Sequence, residues 1–103
     1  MKIVLITAPN EKSAHQMAKE IVDLKLAACV NVIPKIISTY FWEGKVKVEK
    51  EVLMIVKTTK AKLKKLEEEV LSMHPYDTPE FVSLDVEHVN RKYESWLQKT
   101  CIG

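Results

Sequence analysis

The stretch TYFWEGK, residues 39–45, places three aromatic side chains directly before a Glu-Gly pair that is typical of a turn. In a β-strand, neighbouring side chains point to opposite faces, so Tyr40 and Trp42 share one face while Phe41 occupies the other. Gly44 can adopt the positive φ that a tight hairpin requires. The stretch therefore predicts a β-hairpin that is apolar on both faces, and something must cover the second face.

The segments around this hairpin predict a small sheet. Runs rich in β-branched residues predict four strands, at residues 2–8, 29–42, 46–57 and 80–86. Pro34 interrupts the second run, and because proline cannot donate a ladder hydrogen bond, it predicts a bulge or an edge position. Residues 52–56 are all apolar, which indicates a strand base that is buried on both sides.

Three segments with apolar residues at helical spacing separate or follow these strands. Asn10 is a suitable N-cap for the first helix, Thr58 or Thr59 for the second, and Asn90 for the third. The pair His74-Pro75 ends the second helix, because the residue before a proline is disfavoured in helical geometry. The order predicts an α+β, ferredoxin-like βαββαβ domain with an antiparallel sheet and an additional C-terminal helix.

Length and composition narrow the class of protein. The 103 residues are enough for one core, so residues 1–103 form a single domain. The net charge of +2 gives no reason to expect nucleic acid as a partner. The apolar run at residues 3–6 is too short for a signal peptide or a membrane span, which favours a cytoplasmic location and no membrane partner. Cys29 has no closely spaced partner, and Cys101 is interpreted as incidental in a polar tail.

The predicted sheet has one face without helices. Right-handed crossovers place both helices of a ferredoxin-like domain on the same face. Ile3, Leu5, Leu53 and Ile55 nevertheless suggest that both faces are apolar. A large apolar surface on a soluble domain usually marks an interface, and another copy of the chain is the simplest partner. We therefore expect neighbouring subunits to cover the second face.

Six short motifs follow one another along the chain. They are Thr7-Ala8-Pro9, Leu26-Ala27-Ala28-Cys29-Val30-Asn31, Tyr40-Phe41-Trp42-Glu43-Gly44-Lys45, Lys57-Thr58-Thr59, His74-Pro75-Tyr76-Asp77-Thr78-Pro79-Glu80 and Tyr93-Glu94-Ser95-Trp96-Leu97. Together they resemble the CutA family of divalent-cation tolerance proteins over nearly the whole chain. The resemblance implies a homotrimer of ferredoxin-like subunits, similar in plan to the PII signal proteins. It also implies an association with tolerance to copper and other divalent metals, and no established enzymatic reaction.

The candidate metal ligands are His74, Cys29 and Met73. In metal-binding relatives, as the resemblance has it, a cysteine precedes Thr-Ala-Pro and two histidines precede Pro-Tyr, whereas Ile6, Met73 and His74 hold those places here. An imidazole nitrogen of His74 could bind a metal, and the thioether of Met73 suits Cu(I). The alternatives are a surface or capping role for His74 and core packing for Cys29.

A second group of residues could line a cleft between subunits and bind a small charged ligand or a hard cation. Its aromatic members have a polar tip that suits the boundary of a buried surface. The alternatives are core packing for the aromatic side chains and solvation for the charged ones. The residues are Tyr40, Trp42, Glu43, Lys57, Tyr76, Asp77, Glu80 and Trp96.

Three functions are consistent with the sequence. The first is divalent metal-ion tolerance by a trimeric cytoplasmic protein with weak or auxiliary metal binding, in which copper or another divalent cation is the candidate ligand and no cofactor is required. The second is a PII-like signalling or scaffold trimer that binds a small anionic metabolite in the inter-subunit cleft. The third is an enzyme, which the sequence disfavours because it contains no nucleophile motif and no glycine-rich phosphate loop.

Overall fold

The computed structural model describes residues 1–102 and contains seven main elements. A single 3-10 turn at Lys60–Lys62 leads into the second helix. The elements in chain order are β1 (Lys2–Ala8), α1 (Glu11–Asp23), β2 (Cys29–Trp42), β3 (Lys45–Thr58), α2 (Leu63–Met73), β4 (Val82–Asp85) and α3 (Arg91–Thr100).

The four strands form one sheet in the order β2-β3-β1-β4, and every neighbouring pair is antiparallel. This confirms the predicted α+β, ferredoxin-like order with an added C-terminal helix. The fourth strand is shorter than predicted, since it spans Val82–Asp85 and pairs only with residues 2–5 of β1. Within residues 1–102, no helix combines the length and the apolar character needed to cross a membrane.

The core lies between one face of the sheet and the helices α1 and α2. Alternate residues of β1 and β3 point into it, as the two-residue period of a strand requires. The helices contribute residues at spacings of three and four, which places them on one side of each helix. The core includes Val4, Ile6, Met17, Ile21, Val52, Met54, Val56, Leu66 and Val70.

The opposite, helix-free face of the sheet carries the intervening residues of β1 and β3, which remain partly exposed to solvent. Ile3, Leu5, Leu53 and Ile55 are only partly buried. Residues 52–56 are therefore buried on one face and partly exposed on the other, so the predicted burial on both sides does not hold within one chain. Val82 and Leu84 of β4 pair with residues of β1 that lie on this face, and each is almost half exposed.

The distal halves of β2 and β3 form a two-stranded arm. β1 pairs only with residues 52–58 of β3, so residues 45–51 pair with β2 alone. The turn at Glu43 and Gly44 has positive φ values of 49° and 77°, as predicted for a tight hairpin. The ladder shifts between Ile33 and Ile36, which confirms the bulge expected at Pro34.

The helix caps agree with the sequence at two positions and differ at the third. The side chain of Asn10 accepts from the Ser13 amide at 2.8 Å, and the side chain of Asn90 caps α3. No side-chain cap bond is formed at Thr59. The hydroxyl of Thr58 instead donates to the carbonyl of Leu26 at 2.6 Å and is fully buried, so the prediction of a threonine cap was wrong.

The C-terminal helix buries a residue that the sequence analysis placed in a polar tail. Cys101 is 3% exposed and packs with Ala28 and Leu97 in a small second core. The expected placement of Cys101 in a polar tail was wrong, because α3 folds back onto the main body of the chain and buries it. Burial raises the pKa of its thiol.

Candidate functional site

A cleft of about 790 Å³ opens where the arm leaves the sheet and the segment after α2 returns towards β4. Its walls come from the arm, from the end of β1 and from residues 75–80. The lining residues are Thr7, Ser38, Thr39, Tyr40, Trp42, Lys47, Glu49, Glu51, Pro75, Tyr76, Asp77, Thr78 and Glu80.

The register of the arm determines which side chains share the cleft. Tyr40 pairs with Lys47, and Ser38 pairs with Glu49, so these side chains point to the same face. Glu51 lies two residues further along the same strand and therefore also points to that face. The predicted partnership of Tyr40 with Trp42 is confirmed, since both line the cleft.

Glu51 is the most deeply placed carboxylate of the cleft. It is only 9% exposed, and its Oε2 accepts a hydrogen bond of 2.7 Å from the hydroxyl of Tyr76. Burial raises the pKa of Tyr76, and the bond to Glu51 raises it further. The tyrosine therefore keeps its proton and remains a donor to the glutamate.

Two other groups extend this cluster. The pKa of Tyr40 is raised, chiefly by its hydrogen bond to Glu49 and also by the charge of Glu51. The pKa of Glu80 is raised by partial burial and by the nearby charge of Glu51. The cleft thus holds several carboxylates whose negative charges repel one another.

His74 lies directly before residues 75–80, the segment that forms one wall of the cleft. Its Nε2 lies 2.7 Å from the carbonyl oxygen of Thr7, and its Nδ1 lies 3.1 Å from the amide nitrogen of Tyr76. A carbonyl oxygen can only accept, so Nε2 carries the proton and Nδ1 accepts from Tyr76. The ring also packs against the Tyr76 ring at 4.8 Å between centroids. His74 thereby fixes residues 74–76 to the end of β1.

The three candidate metal ligands lie in different surroundings. Cys29 is level with Lys57 on β3, whereas Thr7, which His74 contacts, is level with Leu53. Four residues of strand separate these levels by roughly 13 Å, so one ion could not bind Cys29 and His74 of the same chain.

Met73 also faces away from the cleft. It packs against the main core and lines a shallow groove between α1 and α2. Within residues 1–102, no group of three or more His, Cys, Asp or Glu side chains is arranged to hold a metal ion.

Five of the eight predicted cleft residues line the observed cleft. They are Tyr40, Trp42, Tyr76, Asp77 and Glu80. Glu43 lies in the hairpin turn and is not among the lining residues.

Lys57 and Trp96 belong to a separate cluster at the other end of β3. The Nζ atom of Lys57 lies 5.8 Å from the centroid of the Tyr93 ring, and the Tyr93 ring is 5.4 Å from that of Trp96. The chain alone therefore does not place these two residues in the cleft.

Sequence reasoning missed Lys47, Glu49 and Glu51. The signal that could have identified them is the turn at Glu43 and Gly44. Counting outwards from this turn pairs residue 40 with 47 and residue 38 with 49, which places the charged side chains of β3 beside the aromatic side chains of β2.

The charge of the cleft bears on the choice of ligand. Its lining contains the carboxylates of Glu49, Glu51, Asp77 and Glu80 and the ammonium of Lys47. A small anion would meet net repulsion from these groups. The predicted alternative of an anionic metabolite is therefore not favoured.

Comparison with known proteins places this architecture in a family. A family model described as CutA1 divalent ion tolerance protein matches residues 2–100. The chain is 45% identical over 98 residues to a divalent-cation tolerance protein CutA from Thermus thermophilus, with 95% of each chain covered. It is 43% identical to a chloroplastic protein, CutA 1, from Oryza sativa, but it spans only 55% of that protein's length.

A solved structure agrees with the fold as well as with the sequence. The divalent cation tolerance protein Cut A1 from Thermus thermophilus superposes with a TM-score of 0.94 at 44% identity, over 97% of this chain and 98% of that one. Sequence, fold and the order of the motifs point to the same relatives. The chain belongs to the CutA1 family of divalent ion tolerance proteins.

Proposed function

We propose that this protein acts in tolerance to divalent metal ions as a homotrimer, with weak or auxiliary metal binding at His74. The observation that carries the proposal is the family match over residues 2–100, together with 45% identity to a divalent-cation tolerance protein across 95% of both chains. Copper is the candidate metal because a neutral imidazole binds it well.

The geometry of His74 supports weak rather than tight binding. Both ring nitrogens already have hydrogen-bond partners, Thr7 and Tyr76. A metal ion would need the lone pair of Nδ1, which accepts from the Tyr76 amide. Binding therefore costs at least one hydrogen bond in a buried setting, about 1–3 kcal/mol, and this cost lowers the affinity.

Two apolar surfaces support assembly of the chain with copies of itself. The helix-free face of the sheet carries Leu5 and Ile55, which are only partly buried. One face of the arm carries Ile37, Phe41 and Val46, each about two-thirds exposed or more. An isolated soluble domain rarely presents two such surfaces, whereas packing between subunits would remove both from water.

Calorimetric titration with Cu(II), Cu(I) and Zn(II) tests the metal proposal. We expect weak binding to the unmodified protein, a lower affinity in His74→Ala, and no change in the control Cys101→Ser, whose thiol lies in the second core. Equal affinities in all three proteins would remove His74 as a ligand. Sedimentation equilibrium tests the trimer, and a stable monomer at micromolar concentration would contradict it.

The proposal also includes a cytoplasmic location and no catalysis. An assay of growth in copper, with the chain deleted and then restored, addresses the biological part of the proposal. We expect the deletion to lower the tolerated copper concentration and the restored chain to recover it.

A further inference from the structure

The cleft is suited to a ligand that differs from a metal ion. Its volume of about 790 Å³ lies within the range of small-molecule sites, roughly 300–1,000 Å³. An ion alone would leave most of this space to water. The shape therefore favours a molecule, and the wall chemistry indicates its class.

Both aromatic side chains and carboxylates contribute to the wall of the cleft. Tyr40, Trp42 and Tyr76 contribute rings, and Glu51 and Glu80 contribute carboxylates. The face of an aromatic ring carries partial negative charge and attracts a cation within about 6 Å of its centroid. Both kinds of group therefore favour positive charge, and the rings additionally favour an apolar surface around that charge.

A hard divalent ion fits this wall poorly. Mg²⁺ or Ca²⁺ needs six or more oxygen ligands that converge within roughly 2.0–2.6 Å. Among residues 1–102, no three His, Cys, Asp or Glu side chains converge in a way that could hold a metal. The carboxylate of Glu51 is directed to the hydroxyl of Tyr76, and Glu49 interacts with Tyr40. An organic cation has no such requirement, because its charge is spread over a larger surface.

The cleft also has an electrostatic reason to take a cation. Glu51 is only 9% exposed and interacts unfavourably with Glu80. A positive charge placed between these carboxylates would relieve their repulsion, and the effect is larger in a partly desolvated site than in bulk water. The ammonium of Lys47 also lies in the lining, on the same face as Tyr40, and balances part of this charge.

We propose that the cleft binds a small organic ammonium cation with apolar substituents, held by the rings of Tyr40, Trp42 and Tyr76 and by the charges of Glu51 and Glu80. The metal proposal rests on the ring nitrogens of His74, which bond to the Thr7 carbonyl and the Tyr76 amide, whereas the cleft proposal rests on aromatic rings and carboxylates, so separate variants and separate ligands test the two. The failure of one proposal can therefore be distinguished from the failure of the other.

The test compares tetramethylammonium with tert-butanol, which has nearly the same size and apolar surface but no charge. The Trp96→Phe variant leaves Trp42 as the sole tryptophan and source of indole fluorescence. In this variant, we expect tetramethylammonium to change the Trp42 emission saturably and tert-butanol to have no effect at the same concentrations. Mg²⁺ should compete only weakly.

Calorimetric titration of single-substitution variants with tetramethylammonium shows which residues form the site. We expect Trp42→Leu and Glu80→Gln each to weaken tetramethylammonium binding by about threefold or more, in line with the usual size of cation–π and single-charge effects. Glu67→Gln serves as the matched control, because Glu67 is exposed on α2 and does not line the cleft. Glu80 is exposed, so its replacement leaves the fold intact.

Three results would overturn the proposal. If tert-butanol bound as tightly as tetramethylammonium, the cleft would recognise apolar surface and not positive charge. Displacement of tetramethylammonium by equimolar Mg²⁺ would assign the cleft to a point charge. The absence of saturable binding, or equal binding by Glu80→Gln and Glu67→Gln, would show that the cleft does not recognise organic cations.

Discussion

Glu51 sets the chemistry of the cleft at the scale of single residues. A carboxylate that is only 9% exposed is costly unless a donor meets it, and the Tyr76 hydroxyl does so at 2.7 Å. The two residues come from β3 and from the segment after α2, so one hydrogen bond joins two walls of the cleft. Loss of the Tyr76 hydroxyl should therefore lower the stability of the fold more than loss of a hydrogen bond at the surface.

Replacement of Tyr76 by phenylalanine tests this bond. We expect Tyr76→Phe to lower the free energy of unfolding by about 1–3 kcal/mol, because the buried carboxyl group of Glu51 would lose its hydrogen-bond donor. Urea denaturation measures the change. The control Tyr93→Phe keeps the ring beside Lys57 and should stay within about 0.5 kcal/mol of the unmodified protein. Similar values for both variants would contradict the role given to Tyr76.

The pKa of Glu80 gives a pH-dependent prediction. It is raised by partial burial and by Glu51, so folding disfavours the charged form. The resulting penalty appears as the pH rises through the ordinary range of a glutamate and is complete above the raised pKa. Glu80→Gln should therefore raise the Tm at pH 7 slightly, because Glu80 is exposed and solvent screens most of the penalty, and the difference should vanish near pH 3. Differential scanning calorimetry across this range would contradict the prediction if the variant melted lower at pH 7.

At the scale of elements, α3 depends on its N-cap residue. The side chain of Asn90 accepts from the amides of Lys92 and Tyr93 at 3.0 and 3.2 Å. The helix then buries Leu97 and Cys101 in the second core. A weaker cap should therefore loosen both the helix and this core.

Asn90→Ala is expected to cost about 1 kcal/mol of stability, since alanine cannot accept the two amide protons. Asn90→Asp is the matched control, because a carboxylate caps equally well and also suits the helix dipole. Thermal unfolding followed by circular dichroism should place Asn90→Asp close to the unmodified protein. An equal loss in both variants would mean that the cap does not stabilise α3.

The elements differ in how far the sequence predicts them. The N-caps Asn10 and Asn90 act locally, and their patterns predicted the starts of α1 and α3 correctly. Thr58 offered the same local signal, but its hydroxyl bonds to Leu26, which lies 32 residues away. Cys101 is likewise buried by a long-range contact. Periodicity predicts elements, whereas partners that are distant in sequence depend on how those elements pack.

The same distinction applies to the cleft. Tyr40 and Trp42 were placed on one face from strand alternation alone, which requires no tertiary information. Glu49 and Glu51 were missed because their positions depend on cross-strand register. Trp96 was assigned from chemical type to a cleft between subunits, and within one chain α3 places it beside Tyr93.

At the scale of the whole molecule, a lone chain leaves two apolar surfaces in water. The apolar face of the arm is the more exposed of the two surfaces. It lies on the same side of the sheet as the helices and includes Phe41 at 71% and Val48 at 64% exposure. The arm also lies outside the core under α1 and α2, since residues 45–51 pair only with β2. A two-stranded arm of this kind is only marginally stable without further packing.

A charge placed on the apolar face of the arm tests the proposed trimer. We expect Phe41→Asp to shift the protein towards smaller species in sedimentation equilibrium, because a buried carboxylate without a partner disfavours association. Leu71→Asp is the control. Leu71 is 49% exposed on α2 and lies outside both apolar surfaces, so its replacement should leave the sedimentation profile unchanged. A trimer that persists in Phe41→Asp would exclude this face of the arm from the interface.

The bulge at Pro34 has a consequence for how this protein can vary in length. Ile33 is level with Leu53 and Ile36 with Glu51, so two residues of β2 stand opposite one of β3. Removing one of these two would leave a regular ladder and would still keep Tyr40 level with Lys47, but the strand would lose the bend and extra twist that a bulge supplies. The arm would then leave the sheet at a different angle and draw Glu51 away from Tyr76. A single-residue deletion between the bulge and the turn would instead exchange the two faces of the residues that lie between the deletion and the bulge.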